Sequence, residues 1–278
     1  MKSESLAIAT LNIIDGRRWR LNAAVRCLAG MHIDLAVLTE TKLSSDHYTK
    51  HCFGYNVIAT ESDVHSGGVA LVYKKARHWA LESVKCFGPN VIRATIVCGQ
   101  KRWSLIGAYV SPSDERYSAT LDFITKAYSE SNNFNWPTIL LGDFNIDLDK
   151  YSNGEISERS CQRKVATATL ISTLGLVSIR GRFRQRRSKI NKYWTFRKKM
   201  NGEVYGSICD HILTDRAEDF VNCQIKNPRM DTTIEEYIKR RRNTVLNFVK
   251  EREIYGRCLD AGPVFGNPNQ VVWWKLPL

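Results

Sequence analysis

Three strand-like runs in this chain each end on a side chain suited to phosphate chemistry. LLGDFNIDL, residues 140–148, is apolar or small until it reaches Asp143, Phe144 and Asn145. IDLAVLTET, 33–41, ends near Glu40, and SLAIATLN, 5–12, ends at Asn12. A buried strand that releases a carboxylate or carboxamide at its C-terminal end is how many α/β sheets build a site. Three such ends point to a metal and phosphate site.

Hydrolysis of a phosphodiester needs charge neutralised on the phosphoryl oxygens and a water aimed in line. A hard divalent cation meets the first need and is held by oxygen ligands. Glu40 is the leading candidate ligand, with Asn12 beside it and Asp15 as a further oxygen donor. Asp143 is the candidate to orient or deprotonate the water. Asn145 can offer amide N–H groups to the phosphate, and Tyr109, which ends another apolar run, can offer its phenol. Asp210, in the late run YGSICDHILTD (205–215), is of a type that sits behind a histidine and fixes its tautomer. Plainer readings stand beside these. Asp143 and Asn145 could simply shape an Asx turn. Glu40 and Asn12 could be ordinary strand ends, Tyr109 a half-buried aromatic and Asp210 a structural carboxylate. Gly67 and Gly68 read as turn and strand-packing residues, because no GxGxxG or P-loop surrounds them.

Residues 5–12 read as a buried strand, followed by a short helix in GRRWRLNAAVRCLAGM with Leu21, Ala24, Val25 and Leu28 on one face. IDLAVLTE is the next strand, 42–56 reads as loop, and residues 69–73 as strand. VIRATIVC and WSLIGAYVSP are further strands, the second stopped by Pro112. SDERYSATLDFITKAYSE is an amphipathic helix with Leu121, Ile124 and Tyr128 facing inward. WPTILLGDFN returns to strand, 161–174 reads as a helix closed by Gly175, and 205–215 as a late strand. IEEYIKRRRNTVLNFVKERE, 234–253, is helical by composition and spacing, with Lys239 to Arg242 on a charged surface face. Strand, helix, strand in this order predicts a covered sheet of the α/β class. The 278 residues suffice for one large domain with a sizeable core. The expected division is one domain over 1–225 and a divergent basic helical tail over 226–278.

Forty-one Lys and Arg against 28 Asp and Glu leave a formal charge of +13, which favours polyanions such as nucleic acid or an anionic membrane surface without choosing between them. Residues 180–199 carry ten basic side chains and no acidic one, interleaved with Phe183, Tyr193, Trp194 and Phe196. Arg184, Arg186, Arg187, Lys192 and Arg197 are candidate phosphate contacts, and Trp194 is a candidate stacking partner for a splayed base. A solvated loop is the alternative. Eight cysteines include no CxxC pair, so no zinc site is signalled. The N-terminal residues lack the long apolar core of a signal peptide, and no apolar stretch reaches membrane-spanning length. The expectation from these features is an intracellular, reduced compartment.

Taken in order, TLN (10–12), LTET (38–41), SGGVALVYKK (66–75), YVSP (109–112), LLGDFN (140–145) and SICDHILTD (207–215) resemble the endonuclease/exonuclease/phosphatase superfamily. Their wording is most similar to the apurinic-type endonuclease domains of non-LTR retrotransposons. The resemblance implies a four-layer α/β sandwich, with two mixed sheets facing each other and helices outside. It also implies Mg²⁺ or Mn²⁺ at Glu40, helped by Asn12. Asp143 would activate water, Asn145 would bind the phosphate, Tyr109 would sit over the scissile group, and Asp210 would orient a terminal catalytic histidine. Asp15 lies one residue too far from Asn12 for the repair-type pattern. The chain would then be one piece of a larger retroelement polyprotein. The resemblance alone implies DNA rather than a membrane as partner, with the nucleus among the options.

The terminal histidine is where the resemblance breaks. The family closes with an SDH or DH motif some 20–30 residues after the counterpart of Asp210, yet no histidine follows His211. The window reads KNPRMDTTIEEYIKRRR, in which Asp231 stands as a remnant of the motif's aspartate. His211 adjoins Asp210 in a strand, so the two side chains should point to opposite faces. The C-terminal strand is expected to be lost or replaced, with the tail helix or the VVWW segment (271–274) available to fill its place. Loss of a histidine contact of this kind is worth about 10²–10⁴-fold in rate. Two functions follow: a metal-dependent phosphodiesterase of the retroelement endonuclease type, impaired to some degree, or an inactive remnant that binds nucleic acid or protein. Inositol-phosphate phosphatases and sphingomyelinases share the scaffold and rank lower.

Overall fold

A computed structural model describes residues 5–14, 16, 20–43, 49–62, 67–76, 78–112, 114–152, 162–179, 196–200, 203–220, 222–226 and 271–277. The elements are β1 (Ser5–Asn12), α1 (Arg20–Gly30), β2 (Leu35–Thr39), β3 (Thr49–Cys52), β4 (Tyr55–Ala59), β5 (Val69–Tyr73), β6 (Ala80–Cys86), β7 (Val91–Cys98) and β8 (Lys101–Tyr109). They continue with α2 (Asp114–Asn132), β9 (Thr138–Asp143), α3 (Leu148–Ser152), α4 (Gln162–Thr173), β10 (Val177–Ser178), β11 (Phe196–Met200), β12 (Glu203–Ser207), β13 (Asp210–Thr214), β14 (Asn222–Lys226) and β15 (Val271–Pro277). Among the described residues, one sheet has the order β14-β15-β1-β2-β5-β4-β3, another β10-β13-β9-β8-β7-β6, and β11 and β12 form a two-stranded pair.

Alternation along the strands sorts side chains into three apolar layers. Leu6, Ile8, Leu35, Val37 and Leu71 of the first sheet meet Ile92, Leu105, Ile139, Leu141 and Ile212 of the second. The intervening residues Ala7, Ala9, Leu11, Ala36 and Leu38 pack outward on Leu21, Ala24, Val25 and Leu28 of α1. Ile106, Ala108, Leu140 and Leu213 pack outward on Ile124 and Ala127 of α2 and on Ala168 and Ile171 of α4. Helix, sheet, sheet, helix is the four-layer α/β sandwich, with both sheets mixed. Strands buried on both faces explain why their sequences read as nearly continuous apolar runs. As expected, α4 closes at Gly175, whose φ of 66° suits the left-handed cap position.

Two expectations change, one strand appears that the sequence did not signal, and one open place is filled. Residues 42–56 contain β3 and the start of β4, a hairpin whose outer strand β3 is four residues long and polar, too short to show a period. β6 is a sheet edge with mostly exposed side chains, so its sequence gives no burial signal. The run 205–215 is broken at Ile208–Cys209, because the Asp147 carboxylate accepts the Ile208 N–H (3.0 Å) and Cys209 O accepts the Phe144 N–H (2.9 Å). Finally, of the two segments that could replace the lost strand, the VVWW segment fills a place in the first sheet. β15, the VVWWKLP segment, lies between β14 and β1 and pairs antiparallel with both, from Ser5↔Pro277 to Thr10↔Val272 on the β1 side. It therefore covers backbone groups of β1 that an open edge would expose. The expected helix at 234–253, the Lys239–Arg242 patch and Asp231 lie outside the described residues. Among the described residues, no helix is long and apolar enough to cross a membrane.

Candidate active site

β1 and β2 run parallel with Asn12 opposite Thr39, and β8 and β9 run parallel with Tyr109 opposite Asp143. The same alternation that sends Leu6 and Ile8, Leu105, and Ile139 and Leu141 between the sheets aims Asn12, Tyr109 and Asp143 inward at the strand ends. Asp210 opens β13 directly opposite Asp143 in the antiparallel register. Polar ends of four strands thus collect at one lip of the sandwich.

Hydrogen bonds tie them into a single cluster. Asn12 Nδ2 donates to Glu40 Oε1 and to Asp143 Oδ2, each at 2.7 Å, while Asn12 Oδ1 accepts the Ile14 N–H at 2.8 Å. Asp143 Oδ1 accepts the Asn145 N–H at 2.9 Å, and Asn145 Nδ2 donates to Val110 O at 2.9 Å. The Tyr109 hydroxyl stands close enough to the Glu40 carboxylate and the Asn145 amide for both to act on its phenol. Asn12 is therefore the amide bridge between two carboxylates, with its oxygen turned to the backbone.

Two of these residues sit in the left-handed backbone region: Glu40 at φ 54° and Asn145 at φ 51°. Asparagine tolerates this; a glutamate there stores about 1–3 kcal/mol that the surroundings must offset. The turn around Glu40 is clamped from both sides. Ile13 N–H donates to Thr39 O and Gly16 N–H to Thr41 O, while Thr41 and Lys42 N–H donate to Gly68 O and Gly67 O. Gly67 and Gly68 thus serve as packing residues under the site, as expected. Gly142, just before Asp143, has φ 148°, and a Cβ there would fall 1.8 Å from Ala108 O, so this close approach of β8 and β9 requires glycine.

Burial drives the Asp143 carboxyl up to about 6; the Asn12 and Asn145 hydrogen bonds oppose the rise and the Glu40 charge adds to it. Burial, then the Glu40 and Asp143 charges, push the Tyr109 phenol well above its ordinary range, so it remains a donor. The Cys209 thiol is raised by burial and by the charges of Asp143 and Asp210, which places it between them electrostatically. Lys42 Nζ stands 3.9 Å from Glu40 Oε2.

Among the described residues, no group of three or more His, Cys, Asp and Glu forms a ready metal cage. What is present is an oxygen-rich, buried and negative lip: the Glu40 and Asp143 carboxylates, with the Thr39 hydroxyl, in register beside Asn12, buried and without a hydrogen-bond partner. A sparse set of this kind fits Mg²⁺, which keeps several waters and takes one or two carboxylates plus substrate phosphate, better than it fits Zn²⁺ or a dedicated calcium cage.

His211 lies on the face opposite Asp210. Its ring packs on Phe144 (6.2 Å between centroids) and Nε2–H donates to Ile146 O at 2.7 Å. It therefore supports the GDFNI turn from behind and does not take the place of the absent terminal histidine.

Of the residues expected at the site, Asn12, Glu40, Tyr109, Asp143 and Asn145 come together, and Asp210 stands beside Asp143. Arg197 lies on β11, in a hairpin that leads into β13. Asp15, Arg184, Arg186, Arg187, Lys192 and Trp194 lie outside the described residues. Sequence reasoning missed Asn90, Asp147 and the supporting role of His211. Asn90 and Asp147 stand beside turns and His211 within β13, and only their buried partners reveal their use.

The pattern of the Endonuclease/Exonuclease/phosphatase family matches residues 16–228. The chain belongs to the endonuclease/exonuclease/phosphatase family. No curated protein sequence matches it. Among solved structures, the AP endonuclease LMAP from Leishmania major superposes with a TM-score of 0.67 at 15% identity, over 100% of this chain and 89% of that one. A 3′ phosphatase, NExo, from Neisseria, bound to a product DNA hairpin, gives 0.62 at 18% identity, over 98% and 100%. The endonuclease domain of TRAS1, a telomere-specific non-LTR retrotransposon, gives 0.62 at 12% identity, over 98% and 99%. At these identities the structural likeness establishes the family's fold.

Proposed function

We propose that this chain is a divalent-metal-dependent phosphodiesterase that cuts DNA, of the retroelement endonuclease type. The observation that carries the reading is the cluster in which Asn12 bridges Glu40 and Asp143 while Asn145 and Tyr109 close around them. Glu40 would hold Mg²⁺ or Mn²⁺, and the bound ion would neutralise charge on the phosphoryl group. Asp143, poised near neutral pH, accepts the proton of the attacking water. Asn145 and the protonated Tyr109 donate hydrogen bonds to the phosphoryl oxygens, where negative charge builds. Asn12 keeps the two carboxylates apart and aimed. Asp210 adds a buried carboxylate beside Asp143.

DNA as the substrate is supported by the charge of +13, by the basic stretch 180–199 and by the β11–β12 hairpin, whose FRKK strand starts opposite Ser207, three residues before Asp210. A nuclear place of work and an origin within a larger retroelement polyprotein follow from this reading. The test is nicking of supercoiled plasmid with Mg²⁺ or Mn²⁺ by folded protein, with Glu40→Ala and Asp143→Ala controls. Nicking that both controls abolish is expected; no nicking by the folded wild type refutes the reading. A second reading, a nucleic-acid-binding remnant without catalysis, is favoured by one observation: no histidine follows His211, whose ring faces away from the site. Salt-sensitive DNA retention without cleavage is its signature.

A further inference from the structure

Asn90 follows the Gly88–Pro89 turn that opens β7, and it is only 3% exposed. Its side chain and main chain reach three different elements. Oδ1 accepts the Gly68 N–H at 3.0 Å, Nδ2 approaches Thr120 Oγ1 on α2 at 3.4 Å, and the main-chain carbonyl accepts the Tyr109 N–H at 3.0 Å. Space for it is reserved: a Cβ on Gly67 would fall 2.3 Å from Asn90 Oδ1. The glycine pair it holds is the same pair whose carbonyls accept Thr41 and Lys42 N–H, on the C-terminal side of the left-handed Glu40. One residue therefore connects the turn that presents Glu40 with the strand end that presents Tyr109. The two groups come from different sheets, so their spacing is not set by either ladder alone.

We infer that Asn90 is a positioning residue of this site: buried between the Gly67–Gly68 turn, β8 and α2, it sets the Glu40 turn relative to the Tyr109 strand end. The kinetic consequence rests on the phosphodiesterase reading; the structural consequence does not. Asparagine suits the role because one side chain must accept from Gly68 and offer a donor toward Thr120. Aspartate keeps the acceptor, whereas alanine removes both groups.

The test compares Asn90→Ala and Asn90→Asp in the full chain, by amide hydrogen exchange and by Mg²⁺-dependent plasmid nicking. In Asn90→Ala, exchange at Gly68, Thr41 and Lys42 should speed up about tenfold, the scale of one lost buried hydrogen bond. Exchange at Leu140 and Leu213 in the second sheet should stay at the wild-type rate. The kcat for nicking should fall roughly 10–100-fold with little change in KM, as expected for misplaced catalytic groups. Asn90→Asp should restore most of the Gly68 protection and most of kcat. A uniform rise in exchange, no rise at Thr41 and Lys42, an unchanged kcat, or an aspartate variant as impaired as alanine overturns the inference. If the wild type does not nick, the activity reading fails, and the local exchange pattern alone decides the role of Asn90. If Asn90→Ala does not fold, Gly67→Ala takes its place: it displaces the same amide and should loosen Thr41 and Lys42 in the same local pattern, whereas unchanged exchange there overturns the inference.

Discussion

Replacing Asn12 with alanine removes two charge-assisted hydrogen bonds, 2.7 Å to Glu40 and 2.7 Å to Asp143, and leaves two carboxylates facing each other without the donor between them. Hydrogen bonds to charged groups contribute about 1.5–3 kcal/mol each, so the loss at a pH where both carboxylates are ionised is about 3–6 kcal/mol. The cost depends on pH with a definite sign. Asp143 in the folded protein titrates at about 6, above the 3.8 of an ordinary aspartate. Between those values the native state binds more protons than the unfolded state. Wild-type stability therefore falls as pH rises through that window, by about 1.4 kcal/mol for each pH unit. The Asn12 bond is the strongest influence holding that carboxyl down, and without it the folded value climbs further. Asn12→Ala therefore continues to lose stability above pH 6, where the wild type has levelled off. At pH 5 a protonated Asp143 can itself donate to Glu40, which brings the penalty down to about 1–2 kcal/mol. Urea denaturation of metal-free wild type and Asn12→Ala at pH 5 and pH 8 measures both penalties. Equal penalties at the two pH values, or a larger one at pH 5, would refute the view that Asn12 serves to reconcile the buried Asp143 carboxylate with the neighbouring Glu40.

The remaining expectations concern folding, metal and DNA. Gly142→Ala puts a Cβ 1.8 Å from Ala108 O in central strands and should lose more than about 4 kcal/mol, read as failure to fold or a collapse of the urea midpoint. Millimolar Mg²⁺ should raise the thermal midpoint of the wild type, more at pH 8 than at pH 5, through preferential binding to the native state; an equal rise in Glu40→Ala would show that the ion binds elsewhere. His211→Phe keeps the ring against Phe144 but deletes the donor to Ile146 O. It should lower kcat for nicking by about tenfold through loosening of the Asn145 turn, whereas loss as complete as in Asp143→Ala would mean that His211 touches the substrate. Joint replacement of Arg197, Lys198 and Lys199 by alanine should weaken DNA binding and reduce the slope of log K against log salt by about 1–3, and an unchanged slope would place the hairpin away from the phosphates.

Glu40, Asn12, Tyr109 and Asp143 were legible in the sequence because each ends a run buried on both faces. In such a run apolar composition stops abruptly, so the first polar residue marks the edge of the sheet. The packing face of α1 was legible because Leu21, Ala24, Val25 and Leu28 fall on one helical face, whereas the layered arrangement came from the family resemblance, since runs buried on both faces do not show which layer each side chain enters. β3 and β6 were not legible, since edge strands that face water carry polar residues and give no period. β15 was legible only as one of two candidate fillers: its partner β1 lies at the other end of the sequence, and VVWWKLP carries no sign of which sheet it joins.

Residue type and local pattern determined which side chains of this protein have the chemistry for phosphoryl transfer and at which strand ends they stand. Only the tertiary structure decided that Asn12 is a bridge between carboxylates, that His211 backs the GDFN turn from the far face and that Asn90 ties two sheets together. The reason is physical. Alternation along a strand is a local property that any sequence displays, whereas the bond from Asn12 to Asp143 joins residues 131 positions apart and exists only once two sheets have packed face to face.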